Sequence, residues 1–405
     1  MLVLIWLAAF IEGLSLTLIQ GFLPLYLRRA LGEPSFVTIG AVVAVPALGT
    51  ILASNFWGGL SDVTGRLKPF ILVGLLGYAI ALAGLPLFHS GSFILAFVGL
   101  ASLFFGTHAP SLKTYVTLAK PDRREHALAY LLMFQSIGWL VGSMGGERFL
   151  ENGLGPGFRL ALAICASLAA AYTLVLAIWL RDQRHRPAPP PGVPAPPPSR
   201  GWLAGLWADL VSLYENPRLL RLCVLTFFIV AGNYTMWGFF TVFFTEHLHA
   251  GMRLLGWALA LSSVLGIASF FYVGPLVRRF GGARVIAVGS TLYMLMYLGI
   301  SLSRDPTAVA VLFALPLYGM ISVSTNALAA EYSSAEQRGG GLGVLNGTYA
   351  LATIVGPLTG GFLADRIGLG AIPWTALGFL ACAALIAWRG LFSARPARVP
   401  GRNAD

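Results

Sequence analysis

Apolar residues in this chain come in long continuous runs, separated by short polar segments. Each run is close to the ~20 residues that an α-helix needs to cross a bilayer core. Strands of a membrane barrel would instead give alternating segments of about 10 residues. The pattern therefore predicts an all-α polytopic membrane protein. Twelve transmembrane helices are expected, at roughly 2–27, 36–58, 69–88, 92–116, 127–149, 158–180, 218–244, 253–275, 284–302, 307–330, 340–363 and 371–390.

Composition agrees with this pattern. The 405 residues are 57% hydrophobic and only 11% charged, whereas a soluble protein carries about 25% charged residues. Topology and an anionic inner leaflet are sufficient to explain the formal net charge of +11, so no nucleic-acid partner is expected. The lipid bilayer is thus the first expected partner.

The placement of Lys and Arg predicts the orientation. Twenty of the 27 basic residues fall in one set of loops and chain ends, and seven fall in the opposite loops. Basic loops stay on the cytoplasmic side. We therefore expect a multi-pass protein of the plasma (inner) membrane with both termini cytoplasmic.

A proline-rich segment divides the chain. Residues 181–201 read RDQRHRPAPPPGVPAPPPSRG, which favours an extended solvated spacer. The following GWLAGLWADLVSLYENP is compatible with an amphipathic helix at the inner surface. The predicted organisation is a six-helix bundle over 1–180, a cytoplasmic linker over 181–217, a second bundle over 218–393 and a tail over 394–405.

The two halves align as copies of each other. GFLPLYLRRALG at 21–32 lies over GFFTVFFTEHLH at 238–249, an offset of 217. The glycine pairs of 142–156 and 356–370 superpose at an offset of 215. A six-span unit repeated in one orientation is the architecture of a two-domain carrier whose site lies at the midplane between the halves.

The loop between the second and third spans carries a recognisable motif. The pattern G-x-L-(A/S)-D-R-x-G-R-(K/R) is matched by Gly58, Leu60, Ser61, Asp62, Gly65 and Arg66. Val63 and Leu67 replace two expected basic residues, and Lys68 stands one place late. With its position and the repeat, this motif makes the chain resemble transporters of the major facilitator superfamily, closest to drug–proton antiporters. The resemblance implies two pseudo-symmetric six-helix bundles.

The charges of this motif suggest a contact that holds the two halves together at the cytoplasmic side while the outer side is open. A carboxylate at Asp62 can dock on the positive N-terminal end of a helix in the other half. The resemblance makes the eleventh span, entered at 339–341, the expected target. A cytoplasmic gate of Gly58, Asp62, Gly65, Arg66 and Lys68 is predicted; simple anchoring of the topology is the alternative.

Glu12 is the candidate for proton coupling, with a purely structural pairing, or a misplaced helix end, as the alternatives. A carboxylate deep in the bilayer is costly and indicates function. Burial favours its neutral form, which suits a group that takes up and releases a proton. Lys113 on the fourth span is the expected partner, with snorkelling of Lys113 to the interface as the alternative.

A second motif departs from the family pattern. GPLTGG, with Gly356, Pro357, Gly360 and Gly361, matches a glycine-proline motif that drug–proton antiporters carry on the fifth span. Here it lies on the eleventh, where helix packing is the simpler role. On the fourth span, Ser102 replaces the family arginine. Asp365 and Arg366, at the outer end of the eleventh span, are interpreted as rim residues.

Polar and aromatic residues of spans 1, 4, 5, 7, 10 and 11 are the candidates for a substrate cavity. They are Gln20, His108, Gln135, Asn233, Tyr234, Trp237, Asn326 and Asn346. The Phe and Trp residues of the seventh span favour a lipophilic or amphipathic substrate.

The preferred function is proton-coupled export of small organic molecules by a monomer without metal or cofactor. A carrier of sugars or other polar metabolites is the alternative. An intramembrane lipid-modifying enzyme is disfavoured, because the sequence has no HExxH, GxSxG or His/Cys cluster.

Overall fold

A computed structural model describes residues 2–119, 124–151, 154–182, 216–333 and 338–390. Most of the predicted linker, including the predicted surface helix, lies outside these ranges, as does the C-terminal tail. The described part of the chain is helical and contains no β-strand, and twelve of its helices are long and apolar enough to cross a membrane. The predicted fold class and number of spans are therefore confirmed.

We number the spans α1 to α12. Their bounds are α1 Leu2–Arg29, α2 Phe36–Thr64, α3 Lys68–Leu87, α4 Gly91–Ala119, α5 Arg124–Glu151, α6 Leu154–Trp179, α7 Pro217–His247, α8 Met252–Phe280, α9 Gly282–Leu302, α10 Pro306–Tyr332, α11 Arg338–Ile367 and α12 Ala371–Gly390. We call the membrane face where α6 ends and α7 begins the linker face, and the other one the opposite face.

Two spans are interrupted. In α4, Gly106 and Thr107 separate a helix over Gly91–Phe105 from one over His108–Ala119. In α10, residues 314–317 separate Pro306–Phe313 from Tyr318–Tyr332. Pro316 has no N–H to continue the α10 helix. Unwound backbone at membrane depth is tolerated where it is buried in protein or lines a cavity.

Helix pairing repeats between the halves. In the first bundle α1 packs on α5, α2 on α4 and α3 on α6; in the second, α7 packs on α11, α8 on α10 and α9 on α12. The bundles meet along two seams, α2 with α11 and α5 with α8. Because α2 is equivalent to α8 and α5 to α11, the two seams are equivalent to each other. A rocking motion that opens both seams at one membrane face would therefore close both at the other face.

A hydrogen bond between spans is repeated with the helices. Thr17 Oγ1 on α1 donates to the Trp139 carbonyl on α5 at 3.4 Å, and Thr235 Oγ1 on α7 donates to the Gly356 carbonyl on α11 at 2.9 Å. Both donors also bond the carbonyl four residues earlier in their own helix. The equivalent positions are 217 or 218 residues apart, in keeping with the offset between the halves.

In two other helix pairs, a glycine of one helix packs directly against a serine of the other, and this contact allows the helices to approach closely. A Cβ at Gly49 on α2 would collide with Ser102 Oγ on α4, and a Cβ at Gly319 on α10 would collide with Ser269 Oγ on α8. Ser102 is fully buried. The family arginine therefore has no room at position 102, which explains this departure from the pattern.

Candidate functional site

A cavity of about 290 Å³ lies midway across the membrane, where α5 of the first bundle meets α7, α8, α9 and α10 of the second. It is lined by Ser136, Trp139, Asn233, Tyr234, Trp237, Ser262, Ser263, Gly266, Ile267, Tyr293, Met296, Tyr297, Phe313, Leu315, Pro316 and Tyr318. The unwound part of α10 forms part of this lining. Non-helical backbone is tolerated at this depth in the membrane because it lines a cavity.

Aromatic rings form one wall of the cavity. Trp139 of the first bundle and Trp237 of the second have ring centroids 5.6 Å apart. Trp237 stacks on Phe313 at 5.7 Å with an interplanar angle of 13°. Phe313 in turn stacks on Phe240, which is buried. The wall therefore spans both halves and is supported from behind by the α7–α10 contact.

Polar groups also line the cavity. The Tyr297 hydroxyl on α9 donates to Asn233 Oδ1 on α7 at 3.0 Å. Ser262 and Ser263 on α8 lie on the same cavity. Within the described ranges, the lining contains no Asp, Glu, Lys, Arg or His side chain. The cavity therefore offers aromatic surface and hydrogen bonds without formal charge.

The buried carboxylate lies in the other half. Glu12 on α1 is 3% exposed, and its carboxylate is within hydrogen-bonding reach of the Tyr78 hydroxyl on α3. The Lys113 ammonium on α4 acts on it through charge, although Lys113 itself is exposed. The charge of Lys113 thus acts on Glu12, but no ion pair between them is described, and the hydrogen-bonding partner is Tyr78, which spacing along the sequence does not signal.

His108 belongs to this buried cluster rather than to the cavity. Its ring lies 6.0 Å from that of Tyr78, edge to face, and its Nδ1 is 3.1 Å from the Ile71 carbonyl. Nε2 is buried and has no hydrogen-bond partner within the described part of the chain, although the backbone of Ala8 on α1 lies near the ring. The cluster therefore joins α1, α3 and α4 at the start of the second α4 segment.

The other predicted cavity residues are spread over the interface. Asn233, Tyr234 and Trp237 line the cavity. Gln20, in a π-helical turn of α1, and Gln135 on α5 are half-buried and lie outside the lining. Asn346 on α11 is exposed, and so is Asn326 on α10, which donates to the Ser322 carbonyl at 2.7 Å.

Sequence reasoning missed most of the lining because it left out α8 and α9. These spans supply Ser262, Ser263, Tyr293 and Tyr297. The signal in the sequence was the spacing of Tyr293 and Tyr297, which places both phenols on one helix face. Trp139 and Ser136 lie within four residues of Gln135, the predicted α5 residue.

Charged side chains tie the halves together at the opposite face. Arg28 Nε and Arg29 Nε, at the end of α1, lie 3.2 and 3.6 Å from the Glu246 carboxylate at the end of α7. Arg29 also donates to the Thr245 carbonyl at 2.6 Å. Glu246 lies about 20 Å further along α7 than Asn233, which lines the cavity, since a helix rises 1.5 Å per residue. These contacts therefore close the interface well beyond the cavity.

Asp365 adds a second closure on the same face. The backbone N–H groups of Phe36 and Val37, the first residues of α2, donate to its carboxylate at 2.6 and 3.0 Å, and Ser35 Oγ donates at 3.1 Å. Asp365 thus lies at the rim, as expected, but it bonds the N-terminus of a helix in the other half. Arg366 lies over the Phe362 ring at 4.4 Å.

At the linker face the predicted gate residues make contacts within the first bundle. Gly65 ends α2 in the left-handed conformation, with φ 63°, which glycine adopts without strain. Arg66 Nε lies 3.8 Å from the Asp182 carboxylate, which also accepts from the Lys68 backbone N–H at 3.2 Å. The Lys68 ammonium donates to the Ala177 carbonyl at 2.6 Å. The structure does not describe the surroundings of Gly58 and Asp62.

The GPLTGG motif lies where α11 contacts two helices at once. A Cβ at Gly356 would collide with the Ala231 carbonyl of α7, and one at Gly360 would come within 2.7 Å of Thr235 Cγ2. A Cβ at Gly361 would collide with the Phe36 carbonyl of α2. Across the seam, a Cβ at Gly40 on α2 would come within 2.5 Å of the Pro357 carbonyl. The motif thus permits α11 to pack against both halves.

Comparison with known proteins identifies relatives along the whole chain. The sequence profile of the Major Facilitator Superfamily matches residues 5–325 and 222–404. The multidrug resistance protein MdtG of Salmonella arizonae is 25% identical over 399 residues, covering 95% of this chain and 94% of that protein. MdtG of Salmonella typhi matches to the same extent.

Solved transporter structures share the fold. A point-mutant form of the nucleoside transporter NupG superposes with a TM-score of 0.78 at 16% identity, covering 97% of this chain and 99% of that one. A bacterial homologue of the human lysosomal transporter Spinster, in an inward-facing and occupied conformation, superposes with a TM-score of 0.73 at 16% identity, with 98% coverage of each chain. At this identity the likeness concerns the fold alone.

Proposed function

Because this chain belongs to the Major Facilitator Superfamily, we propose that it exports small lipophilic or amphipathic organic molecules by alternating access, in exchange for protons. The observation that carries the proposal is the uncharged aromatic cavity at the midplane, bounded by both bundles and closed at the opposite face by cross-half contacts. The full-length similarity to proteins named for multidrug resistance favours export of this kind of molecule over transport of a polar metabolite.

Glu12 is the proposed proton site. It is almost completely buried, which acts against its ionised form, whereas the charge of Lys113 and a hydrogen bond from Tyr78 act in favour of that form. A carboxylate with such partners releases its proton readily only while they stay within reach. Movement of α1 against α3 and α4 would therefore change its proton affinity between the two states, which is what exchange with a substrate requires.

The route from the proton site to the cavity runs through backbone contacts. A Cβ at Gly13, next to Glu12, would collide with the Gln135 carbonyl on α5. A Cβ at Gly138 would collide with the Phe10 carbonyl on α1. The same stretch of α5 carries Ser136 and Trp139 into the cavity. Coupling is therefore proposed to be mechanical, since the proton and the substrate occupy separate sites.

The gate is proposed to alternate between the two ends of the α2–α11 seam. In this structure Asp365, at the C-terminal end of α11, docks on the N-terminus of α2. In the other state Asp62, near the C-terminal end of α2, docks on the N-terminus of α11 at the linker face. With the linker face placed in the cytoplasm of a bacterial inner membrane, the face that Asp365 closes in this structure is the outer one.

Transport into proteoliposomes under an imposed pH gradient tests the proposal, with a lipophilic fluorescent dye as substrate and Glu12→Gln as the variant. We expect gradient-driven flux to fall at least tenfold while dye binding is retained within a few-fold. Glu331→Gln, which neutralises an exposed carboxylate at the linker-face end of α10, is the matched control and should transport like the parent. Full gradient-driven flux in Glu12→Gln would remove Glu12 from the coupling mechanism.

A further inference from the structure

We propose that the cavity selects uncharged, planar aromatic molecules that carry a hydrogen-bond acceptor, and discriminates against organic cations. This inference rests on the proposed function, since it names the class of molecule that the same site binds. It is carried by the chemistry of the residues that line the cavity and by the position of the charged groups outside that lining.

The charges of the membrane interior lie outside the cavity. Glu12, the buried carboxylate, is in the first bundle, where Tyr78 and Lys113 are its partners. Glu246 and Asp365 are engaged at the opposite face by Arg28 and by the N-terminus of α2. Among the described residues, none of these carboxylates lines the cavity, so a bound cation would meet no counter-charge there.

Aromatic rings alone compensate poorly for a missing counter-charge. A cation over the face of Trp gains a modest electrostatic attraction, whereas taking an ammonium out of water costs far more. An anion meets only neutral donors from Asn233 and the phenols, with no Lys or Arg described beside them. An uncharged molecule avoids both penalties and still gains the stacking surface of Trp139, Trp237 and Phe313.

The amide of Asn233 determines which polar group the ligand needs. Tyr297 donates to its Oδ1, so the Nδ2 hydrogens are left to donate in their turn. Asn233 is half-buried and lines the cavity, and no acceptor for Nδ2 is found within the part of the chain that the structure describes. The Nδ2 hydrogens are therefore available to a ligand in the cavity, for which a carbonyl or ether oxygen is the complementary group.

The size of the cavity restricts the ligand further. Ligand sites usually occupy about 300–1,000 Å³, and this one, at about 290 Å³, lies at the lower end. The stacked pair of Trp237 and Phe313 is flat, with 13° between the ring planes. A fused bicyclic ring system with one acceptor oxygen matches both the volume and the flat wall.

Two matched fluorophores test the proposal. One is a neutral acyl dimethylaminonaphthalene; the other is the same molecule with the amine methylated to a trimethylammonium group. Binding is measured by fluorescence polarisation on the purified full-length protein in nanodiscs, without a pH gradient. We expect the neutral probe to bind at least tenfold more tightly than the cation. Equal or tighter binding of the cation, or no binding of either probe, would overturn the inference.

Substitutions at one position separate charge from shape. Asn233→Asp adds a carboxylate of the same size and should bring the affinity for the cation up to or above that for the neutral probe. Asn233→Leu, of similar size and uncharged, should weaken binding of the neutral probe without improving binding of the cation. If Asn233→Asp fails to fold, Tyr297→Phe gives a second test. It removes the hydrogen bond that fixes the Asn233 amide, so it should weaken binding of the neutral probe only. Unchanged affinity would contradict the assigned orientation of the amide.

The binding experiment is independent of export. Absence of pH-driven flux in the parent protein, together with a retained preference for the neutral probe, would overturn the proposed function and leave the inference on selectivity standing. Export of the cation at the rate of the neutral probe, with equal affinities, would overturn the selectivity and leave export standing.

Discussion

The backbone N–H of Phe36, the first residue of α2, donates a 2.6 Å hydrogen bond to the carboxylate of Asp365 near the end of α11. The two residues are 329 positions apart and belong to different bundles. Charged acceptors make the strongest hydrogen bonds of this kind, and the first turn of a helix presents unpaired N–H groups to an anion. A carboxylate of one half therefore caps a helix of the other, and separating the halves at this face uncovers both.

Asp365→Asn should weaken the closure of the opposite face. The amide removes the charge from the α2 N-terminus, an interaction worth about 0.3–2 kcal/mol. At 1.4 kcal/mol per tenfold, the population open to the opposite face should rise by up to about 30-fold. The measurement is labelling of a Ser262→Cys reporter in the cavity by an impermeant thiol reagent added at the opposite face, after Cys165, Cys223 and Cys382 have been replaced.

Asp305→Asn is the matched control for this experiment. Asp305 lies on the same face and accepts from the N–H groups of Thr307 and Ala308 at 3.0 and 3.3 Å, but it caps its own helix, α10. It should leave the labelling rate unchanged. Equal labelling of Asp365→Asn and the parent would mean that the cross-half cap does not hold this face closed.

Gly49→Ala and Gly319→Ala should both destabilise the fold. Each added methyl group would collide with a serine hydroxyl, Ser102 in one half and Ser269 in the other. Overpacking a closely packed contact costs about 1–3 kcal/mol, so the thermal midpoint in detergent should fall for both variants. Gly274→Ala, where no atom of the described residues lies within 4 Å of the added Cβ, should unfold at the temperature of the parent. Parent-like midpoints for all three would show that these contacts are loosely packed.

Trp237→Ala should weaken ligand binding about tenfold or more, since a tryptophan that lines a binding site carries a large share of the binding energy. It removes the ring that contacts Trp139 across the halves and stacks on Phe313. Trp237→Phe should recover part of the affinity. The control is Trp257→Ala, an exposed residue of α8 outside the cavity lining. Affinities are compared with the neutral naphthalene probe, and an equal loss in both alanine variants would contradict a specific role for Trp237.

Asp62→Asn should open the linker face, if its carboxylate closes the α2–α11 seam in the other state. The labelling rate of Ser262→Cys by reagent added at the linker face should rise by a factor of about 2 to 30, for the same electrostatic reason as at Asp365. Asp182→Asn is the comparison, because Asp182 binds Arg66 and the Lys68 backbone within one bundle. It should lower thermal stability without changing the labelling. Increased labelling in Asp182→Asn alone would assign the gate to that network instead.

Much of the architecture can be predicted from local properties of the chain. Each apolar run had to become a helix, because a bilayer core leaves no other way to satisfy the backbone hydrogen bonds of a single segment. The offset between residues 21–32 and 238–249 indicated the two bundles in the same way, without knowledge of any contact. Glu12 stood out because a carboxylate within an apolar run is rare, whatever its neighbours are.

Contacts between residues that are far apart in the sequence could not be predicted in this way. Asn233 and Tyr297 share the cavity, and Asp365 and Phe36 close a face, because glycine contacts such as Gly361 against α2 fix how deeply and at what rotation the helices pack. Rotating a helix by one residue turns its side chains by about 100°, so the composition of a span does not reveal which of its polar residues meet. The length and hydrophobicity of a single segment decide whether it spans the membrane, so the spans can be predicted from the sequence. Which side chains contact each other depends on how all twelve helices pack, so these contacts are determined only by the tertiary structure.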